Sequence, residues 1–570
     1  MRDPQPANLT YAERIALARP ILVHAESTAF ALTPGSRVLL LYRLGGAWYP
    51  LDRDYAIRLY RQAFDVTAVS DIPFRGWLQR AIVIDLIPIS PSDALDLIAR
   101  GEPAESRSSP DSQKTSRNAF YGMLIRYALA QGDIALATHA FDNSVKAGAL
   151  NEGATAKLMA SLPAGAKAER ASIFRAAVEF YEHDPVSSMA CGSIGLSDLI
   201  ARTYAQVPSQ LVLRAIELEL NQAEKAASCG NSLAEGASFQ STYDFKLFAV
   251  APALLSLDPK RAEALLAQHE AVAGALKRFP QGIVSIEGKY RAEGLDPSYP
   301  IHMNQDWIPQ GFLLFSGEGP APKLDALDTG LEFTLPDTSN RPDVLGEGEF
   351  YSDLDTPESK ILDRTGSCPA DVVHTLESSR DVPVVRRICF AAGGAGCMGE
   401  ENTFPRAKLI QAVAERCAYG GDAARSRQVL EAQLALLPQV PAEDRVKFLA
   451  DAADLYLRLG DRDRAAQVVE LGFAAAREVL DENEKAYQVR DQADQDRVAE
   501  ALWPADESYR LMLALGVNSD LGATQAAVDA IPDAVLAEYE RVMLARALLG
   551  VPVSMSMTEG PHGGFGIRMY

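Results

Sequence analysis

The residue types that most often bind metal ions are widely scattered in this chain of 570 residues. No two of its seven histidines lie three or four residues apart, the spacing that places two ligands on one helix face. Cys368, His374, Cys389 and Cys397 supply four candidate ligands, but their spacings of six, fifteen and eight match no Cys-x-x-Cys pattern. We therefore predict that the protein has no metal site.

Two glycine-containing segments resemble catalytic or cofactor-binding motifs. Residues 394–399 match Gly-x-Gly-x-x-Gly, but Glu400, Glu401 and Pro405 follow where a phosphate-binding helix would have to begin. Residues 191–195 read Cys-Gly-Ser-Ile-Gly, which lacks the first glycine of a nucleophile elbow and follows no strand pattern. We therefore predict no nucleotide cofactor and no catalytic residue.

Acidic residues are concentrated in one loop-rich segment. Residues 316–364 contain 12 acidic and 4 basic side chains, and the densest run includes Glu347, Glu349, Asp353 and Asp355. Their spacing is not that of a calcium loop with glycine at its sixth position. We interpret these four carboxylates as candidate partner-binding residues, with a solvated acidic loop as the alternative.

An enzyme remains the alternative function, because all-helical toroids of about this length include carbohydrate-active hydrolases and lyases. Such enzymes need a pair of carboxylates, and the sequence singles out no pair among 76 acidic residues. The four tryptophans could line a sugar groove, but packing is their commoner role.

The six cysteines are too sparse to form a disulfide framework. Cys417 lies in an apolar helical context and is expected to be a small core residue. Cys368, Cys389 and Cys397 lie in a loop-rich region, where we expect either a disulfide bond or free thiols depending on the compartment.

Most of the chain must be helical to position any of these residues. From about residue 10 to 279 apolar side chains recur every three or four positions, with Pro, Gly or Asp-Pro at the breaks. Three Gly-Asp pairs, at Gly132, Gly421 and Gly460, end one helical pattern and begin another. A small residue stands five positions after each glycine and an apolar residue nine after, namely Ala137, Ser426, Ala465, Phe141, Leu430 and Val469.

This pattern resembles the tetratricopeptide repeat, a helix pair of about 34 residues with small residues where the helices cross. Pro438 matches the terminal proline of the family in the Gly421 unit, whereas Arg477 replaces it in the Gly460 unit. The two adjacent glycines are 39 residues apart. The resemblance is strongest over residues 405–480 and implies an α-solenoid.

Short segments elsewhere resemble uncharacterised helical-repeat proteins of acidobacteria. These segments are Arg-Phe-Pro-Gln-Gly at 278–282, residues 452–461, Leu-Trp-Pro at 502–504 and Ile-Pro-Asp at 531–533 with residues 544–550. No activity is attached to that group, and many of its members carry export signals. The resemblance implies that this chain is a processed, exported form.

We predict an all-α fold, an α-solenoid of antiparallel helix pairs interrupted by a loop-rich acidic insertion. The expected organisation is four regions: helical repeats over 1–280, the insertion over 281–404, tetratricopeptide-like repeats over 405–552 and a flexible tail over 553–570.

The composition of the chain disfavours two classes of function, nucleic-acid binding and membrane insertion. A net charge of −21 disfavours nucleic acid and anionic membranes, and no apolar run is long enough to span a bilayer. The beginning of the sequence lacks the apolar core of a secretory signal, so the chain is cytoplasmic, or periplasmic or extracellular if a signal was removed. We expect a non-catalytic scaffold that binds a protein, favouring a basic one, through its curved helical surface.

Overall fold

The structure is a computed structural model, and its description covers only part of the chain. The described residues are 9–69, 75–101, 110–183, 195–226, 231–233, 237–286, 382–389, 397–404, 406–489, 502–551, 553, 555–559 and 565–569.

The helices before the predicted insertion are α1 Tyr11–Ala29, α2 Pro34–Trp48, α3 Arg53–Val69, α4 Arg75–Ile89, α5 Pro91–Arg100, α6 Pro110–Ala130, α7 Ile134–Lys146, α8 Glu152–Ser161, α9 Lys167–His183, α10 Leu196–Thr203, α11 Ser209–Lys225, α12 Thr242–Leu257, α13 Pro259–Leu266 and α14 Glu270–Arg278. The helices after it are α15 Arg406–Tyr419, α16 Ala423–Leu434, α17 Ala442–Arg458, α18 Arg462–Val489, α19 Trp503–Ser519, α20 Leu521–Asp529 and α21 Ala534–Leu548.

Strands occur only as short antiparallel hairpins in the described part of the chain. They are β1 Asn231–Leu233 with β2 Ala237–Phe239, β3 Val382–Cys389 with β4 Cys397–Phe404, and β5 Met555–Glu559 with β6 Phe565–Met569. The last hairpin lies in the range predicted as a flexible tail, and the second lies in the range predicted as a loop-rich insertion. The fold is all-α, as predicted.

The Gly-Asp pairs form helix-to-helix turns for a clear stereochemical reason. Gly132, Gly421 and Gly460 have φ values of 76°, 83° and 76°, a left-handed conformation that a residue with a Cβ adopts at a cost. Each following aspartate then caps the next helix, as when Asp422 Oδ1 accepts from the backbone N–H of Arg425 at 3.0 Å. The glycine ends one helix and the aspartate starts its partner.

The small and apolar residues counted from these glycines lie where the repeat pattern predicts. All six are buried, and Ser426 Oγ donates to the carbonyl of Ala414 at 2.8 Å across the crossing of α15 and α16. Such a backbone-to-side-chain contact needs close helix approach, which only a small residue permits. Helices joined by these turns therefore pack as antiparallel pairs.

Packing between helices follows chain order except at one place. It runs from α15 and α16 through α17, α18 and α19 to α21, and then passes from α21 into α1 and α2 and on through α12. The first and last helices of the chain therefore lie inside the stack, and residues 281–404 connect its two far ends in sequence. One apolar core extends through both halves, from Ala18 to Val553.

Candidate functional site

The four predicted partner-binding carboxylates, Glu347, Glu349, Asp353 and Asp355, lie outside the described residues. The described residues instead contain a buried group of charged side chains that the sequence analysis did not identify. Its members belong to α2, α4, α19 and α21, and α21 packs against both α2 and α19. We call its five members, Arg43, Asp85, Asp506, Glu540 and Arg546, the junction cluster.

The strongest interaction in the junction cluster joins residues far apart in sequence. Arg43 donates from both terminal nitrogens to Asp506, at 2.5 Å to Oδ1 and 2.7 Å to Oδ2. Both side chains are almost fully buried, and the Arg43 guanidinium also lies 4.9 Å from the centre of the Tyr539 ring. A paired geometry of this kind fixes the orientation of both groups as well as their separation.

Asp506 lies between two guanidinium groups, since Arg510 Nε is 3.0 Å from its Oδ2. Burial alone would raise the pKa of Asp506, but attraction to Arg43 and Arg510 outweighs burial and lowers it. Burial and the neighbouring Asp506 carboxylate raise the pKa of Glu540 well above its usual value. The pKa values of these two carboxyl groups are therefore moved in opposite directions: Asp506 stays ionised at neutral pH, and Glu540 is much harder to ionise than an ordinary glutamate.

Asp85 on α4 forms the other end of the cluster. Tyr60 donates to Asp85 Oδ2 at 3.2 Å. Burial raises the pKa of Asp85 to about 7, although hydrogen bonds from Tyr42 and Tyr60 and the charge of Arg546 act to lower it. The carboxyl group is thus close to half ionised at neutral pH.

Glycine on α2 makes room for Arg546. A Cβ added at Gly46 would lie 2.5 Å from Arg546 Nη1, which is too close for any carbon–nitrogen contact. The two glycines in the Leu-Gly-Gly-Ala segment of α2 are therefore a sequence signal for close approach of another element. Arg43 is a second signal, because a charge within the apolar run 38–44 requires a buried partner.

Two adjacent carboxyl groups whose pKa values are shifted in opposite directions are a pairing that acid–base enzymes use. In the junction cluster Asp506 and Glu540 are both almost fully buried and are enclosed by neighbouring helices. A substrate therefore has no contact with them in this structure. The junction cluster holds the last helices of the chain against the first ones.

A second buried ion pair joins α11 and α12. Lys246 Nζ lies 2.8 Å from Glu219 Oε1, and Ser197 Oγ on α10 donates to the same oxygen at 2.7 Å. Both charged side chains are fully buried. Three helices therefore meet at one carboxylate.

A more exposed ionic group occurs in the repeats over 405–480. Glu431 on α16 accepts a hydrogen bond from Tyr456 at 2.8 Å and two from Arg464, at 2.8 and 2.6 Å. These hydrogen bonds lower the pKa of Glu431, with Arg464 the larger influence. We call Glu431, Tyr456 and Arg464 the repeat network.

One histidine has the partner that orients a general base. His269 Nδ1 lies 2.5 Å from Asp244 Oδ1, and its ring stacks on Tyr243 with centroids 5.0 Å apart. Histidine oriented by a carboxylate acts as a base in many hydrolases. Here the pair ties the loop before α14 to the first turn of α12, and no described residue supplies a nucleophile bonded to His269.

Cys417 is both buried and oxidised. Cys417 is buried, as predicted, but it is disulfide-bonded rather than a free core residue, to a cysteine whose side chain lies outside the described part of the chain. Cys389 and Cys397 stand directly opposite each other in the register of β3 and β4. Cys368 lies outside the described residues.

Among the described residues no group of three or more His, Cys, Asp or Glu side chains is arranged to hold a metal ion. No described helix is long and apolar enough to cross a membrane.

Neither the protein-family models nor the curated proteins include a match to this chain. Among solved structures it is similar to a circular tandem repeat protein with novel repeat topology and enhanced subunit contact surfaces. The two are 12% identical, the alignment covers 94% of this chain and 97% of that chain, and the TM-score is 0.18. A score this low carries no argument, so the identification of a helical-repeat protein rests on the helix pairs and turns described above.

Proposed function

We propose that this helical-repeat protein is a non-catalytic scaffold that binds a protein partner. The observation that supports this most directly is the continuous apolar core through both halves of the chain. Stacked helix pairs with one shared core present an extended surface, and binding to such a surface needs no catalytic group.

The strongly perturbed carboxyl groups of the described region support the same function. In unfamiliar proteins such groups are the usual candidates for catalysis. Here Asp85, Asp506 and Glu540 are all buried between helices, and Asp85 and Asp506 accept hydrogen bonds from side chains of neighbouring helices, so their role is in holding the stack together.

The acidic residues Glu347, Glu349, Asp353 and Asp355 are proposed as a binding site for a basic protein. The charge of the whole chain, −21, favours such a partner through long-range attraction. The segments at 278–282, 452–461, 502–504, 531–533 and 544–550 also lead us to propose a relationship to the uncharacterised acidobacterial helical-repeat proteins.

The disulfide bond at Cys417 supports an oxidising compartment, because structural disulfides persist mainly in exported proteins. We therefore propose a periplasmic or extracellular location. Counting reactive thiols in the protein isolated from its own cells, with and without reduction, tests this, and a fully reduced native pool would contradict it.

The scaffold proposal is tested by capture from a cell lysate and an envelope fraction, at low and at high salt. The proposal predicts capture of a specific protein that weakens at high salt and is lost from an E347Q/E349Q/D353N/D355N variant. The matched control, E443Q/D444N, removes two exposed acids on α17 and retains capture. A protein that captures nothing but binds and turns over an oligosaccharide is an enzyme, which would overturn the proposal.

A further inference from the structure

Four of the five large exposed apolar side chains in the described part of the chain fall in one stretch of the sequence. Of its large exposed apolar residues, Leu17, Val23, Phe30 and Val69 belong to the first three helices or their ends, and only Leu471 lies elsewhere. Single exposed apolar residues are ordinary, but grouped ones mark an interaction surface.

Helix α1 has apolar side chains outside its buried face as well as on it. Its inner side is buried against α2 and α21 through Leu22, Ala25 and Ala29. On its outer side Val23 and Phe30 are 54% and 60% exposed, and a separation of seven residues places them on the same face. The solvent-facing side of a surface helix is normally polar. The apolar residues on the outer face of α1 therefore indicate a face that binds another molecule.

Charge near this face has the opposite sign to the charge of the whole chain. Residues 11–69, without the buried and paired Arg43, contain six arginines, no lysine and five acidic residues, a net charge of +1, whereas the chain carries −21. Several of these acids already have partners: Glu13 caps α1 through Thr10, and Asp65 pairs with Arg100.

Two of the arginines are exposed and lie on aromatic rings beside this face. The Arg19 guanidinium is 5.9 Å from the centre of the Trp48 ring, and that of Arg58 is 5.0 Å from the centre of the Tyr55 ring. The two rings contact each other edge to face at 5.2 Å. Within the described residues neither Arg19 nor Arg58 forms an ion pair with a carboxylate.

Two acids beside these rings are engaged by Tyr55. Its hydroxyl donates to the Glu26 carboxylate, and its backbone N–H donates to Asp52 Oδ1 at 2.9 Å. A guanidinium that rests on a ring keeps its in-plane N–H groups available, and those groups match a carboxylate. Arg19 is four residues from Val23, so the cationic and apolar groups are neighbours on α1.

We propose that Arg19, Val23, Phe30 and Arg58, which we call the arginine–apolar face, bind an acidic amphipathic helix of a partner protein. Val23 and Phe30 take the apolar stripe of that helix, and the two guanidinium groups take carboxylates that flank the stripe. This inference rests on the proposed scaffold function and adds a second surface, with a charge preference opposite to that of the acidic segment.

The experiment uses the full chain and a fluorescein-labelled synthetic peptide with three repeats of Leu-Glu-Glu-Leu-Ala-Gln-Glu. Its control is the same peptide with lysine in place of every glutamate. Fluorescence anisotropy is expected to show binding of the glutamate peptide alone, weakened by salt because the guanidinium–carboxylate pairs lie near the surface. Equal binding of both peptides, or of neither, overturns the inference.

Two double variants locate the binding. R19E/R58E and V23S/F30S are each expected to weaken binding of the glutamate peptide by at least about tenfold, or about 1.4 kcal/mol. The matched controls are Arg175→Glu, an exposed arginine of α9, and Leu471→Ser, an exposed apolar residue of α18. All these side chains are exposed, so every variant should remain folded in thermal unfolding by circular dichroism, with R19E/R58E losing only the small contribution of its two ring contacts. Equal weakening of binding by the controls overturns the inference.

Two further results separate this inference from the scaffold proposal. Sedimentation velocity of the full chain alone is expected to show no dimer that depends on Val23 and Phe30, that is, none that dissociates in the V23S/F30S variant. Such a dimer would mean that a second copy covers the face, which overturns the inference.

If the R19E/R58E variant binds neither peptide yet still captures the protein partner from the lysate, the scaffold proposal stands and the two surfaces are distinct. If wild type captures a partner but ignores the glutamate peptide, only the present inference fails.

Discussion

The junction cluster and the repeat network use the same chemistry in different surroundings. Each joins helices through an arginine that makes two hydrogen bonds to one carboxylate. Arg43 and Asp506 are 5% and 2% exposed, whereas Arg464 and Glu431 are 31% and 51% exposed. Water screens the second pair and not the first, so we expect the energetic effect of losing an arginine partner to differ severalfold between them.

The largest expected effect is that of Arg43→Met. It leaves the Asp506 carboxylate buried with Arg510 as its remaining close cation, and breaking a buried pair in this way costs about 3–5 kcal/mol of unfolding free energy. Urea denaturation followed by circular dichroism measures the loss. The double variant R43M/D506N removes the unpaired charge and should recover part of the lost unfolding free energy. A loss below about 1 kcal/mol in Arg43→Met would show that the Arg43–Asp506 pair is not shielded from water.

Asp85 gives the junction cluster a pH dependence near neutral pH, whereas the lowered pKa of Glu431 confines that of the repeat network to acid pH. Its pKa is about 7 in the folded protein and near 3.9 when unfolded, so the folded state binds more protons between these values. Its contribution is therefore fully present below about pH 4 and is lost as pH rises through 7. Between pH 5 and pH 8 this term should lower the unfolding free energy by about 2–3 kcal/mol.

The Asp85→Asn variant isolates that term, because asparagine fills the same volume and does not ionise. Its unfolding free energy should change less between pH 5 and pH 8 than that of wild type, as measured by urea denaturation at each pH. Identical pH profiles for the two proteins would show that Asp85 keeps an ordinary pKa.

Gly460→Ala tests the backbone of the repeats without touching their ionic contacts. No atom lies within 4 Å of an added Cβ, so the expected loss of about 1 kcal/mol comes from the left-handed conformation alone. Thermal unfolding measures the effect. Gly274→Ala on α14 is the control, since it has equal space and no positive φ, and it should be neutral or stabilising; equal effects of the two substitutions would refute this explanation.

Glu431→Gln should have the smallest effect, about 0.5–1 kcal/mol, because the pair it weakens is exposed. The loss should shrink further at 0.5 M salt, which Arg43→Met should not show. A loss comparable with that of Arg43→Met would remove the contrast between the two regions.

The repeat region could be predicted from sequence because its signals are local. A glycine that must be left-handed and an aspartate that caps the next helix are adjacent, and the buried residues follow at fixed offsets. The junction could not be predicted in this way, since Arg43 and Asp506 are 463 residues apart. Sequence showed only that Arg43 is an anomalous charge in an apolar run, and nothing nearby indicates its partner.

The arginine–apolar face escaped prediction for a related reason. Val23 lies in α1 and Phe30 directly follows it, and the apolar residues of this helix are spread around its axis, a pattern that does not distinguish an inner side from an outer one. Only the packing of α2 and α21 on Leu22 and Ala25 shows which side is left to solvent. The acidic residues chosen from sequence stay a prediction.

The contact between α1 and α21 sets a condition on how the protein is made. Thr28 and Glu538 are hydrogen-bonded across a sequence separation of 510 residues. At roughly 5–20 residues per second, a ribosome needs roughly 25–100 s between synthesising the first and the second. Throughout that interval the inner face of α1 has no α21 to cover it, so the nascent chain must be kept from aggregating until translation is nearly complete.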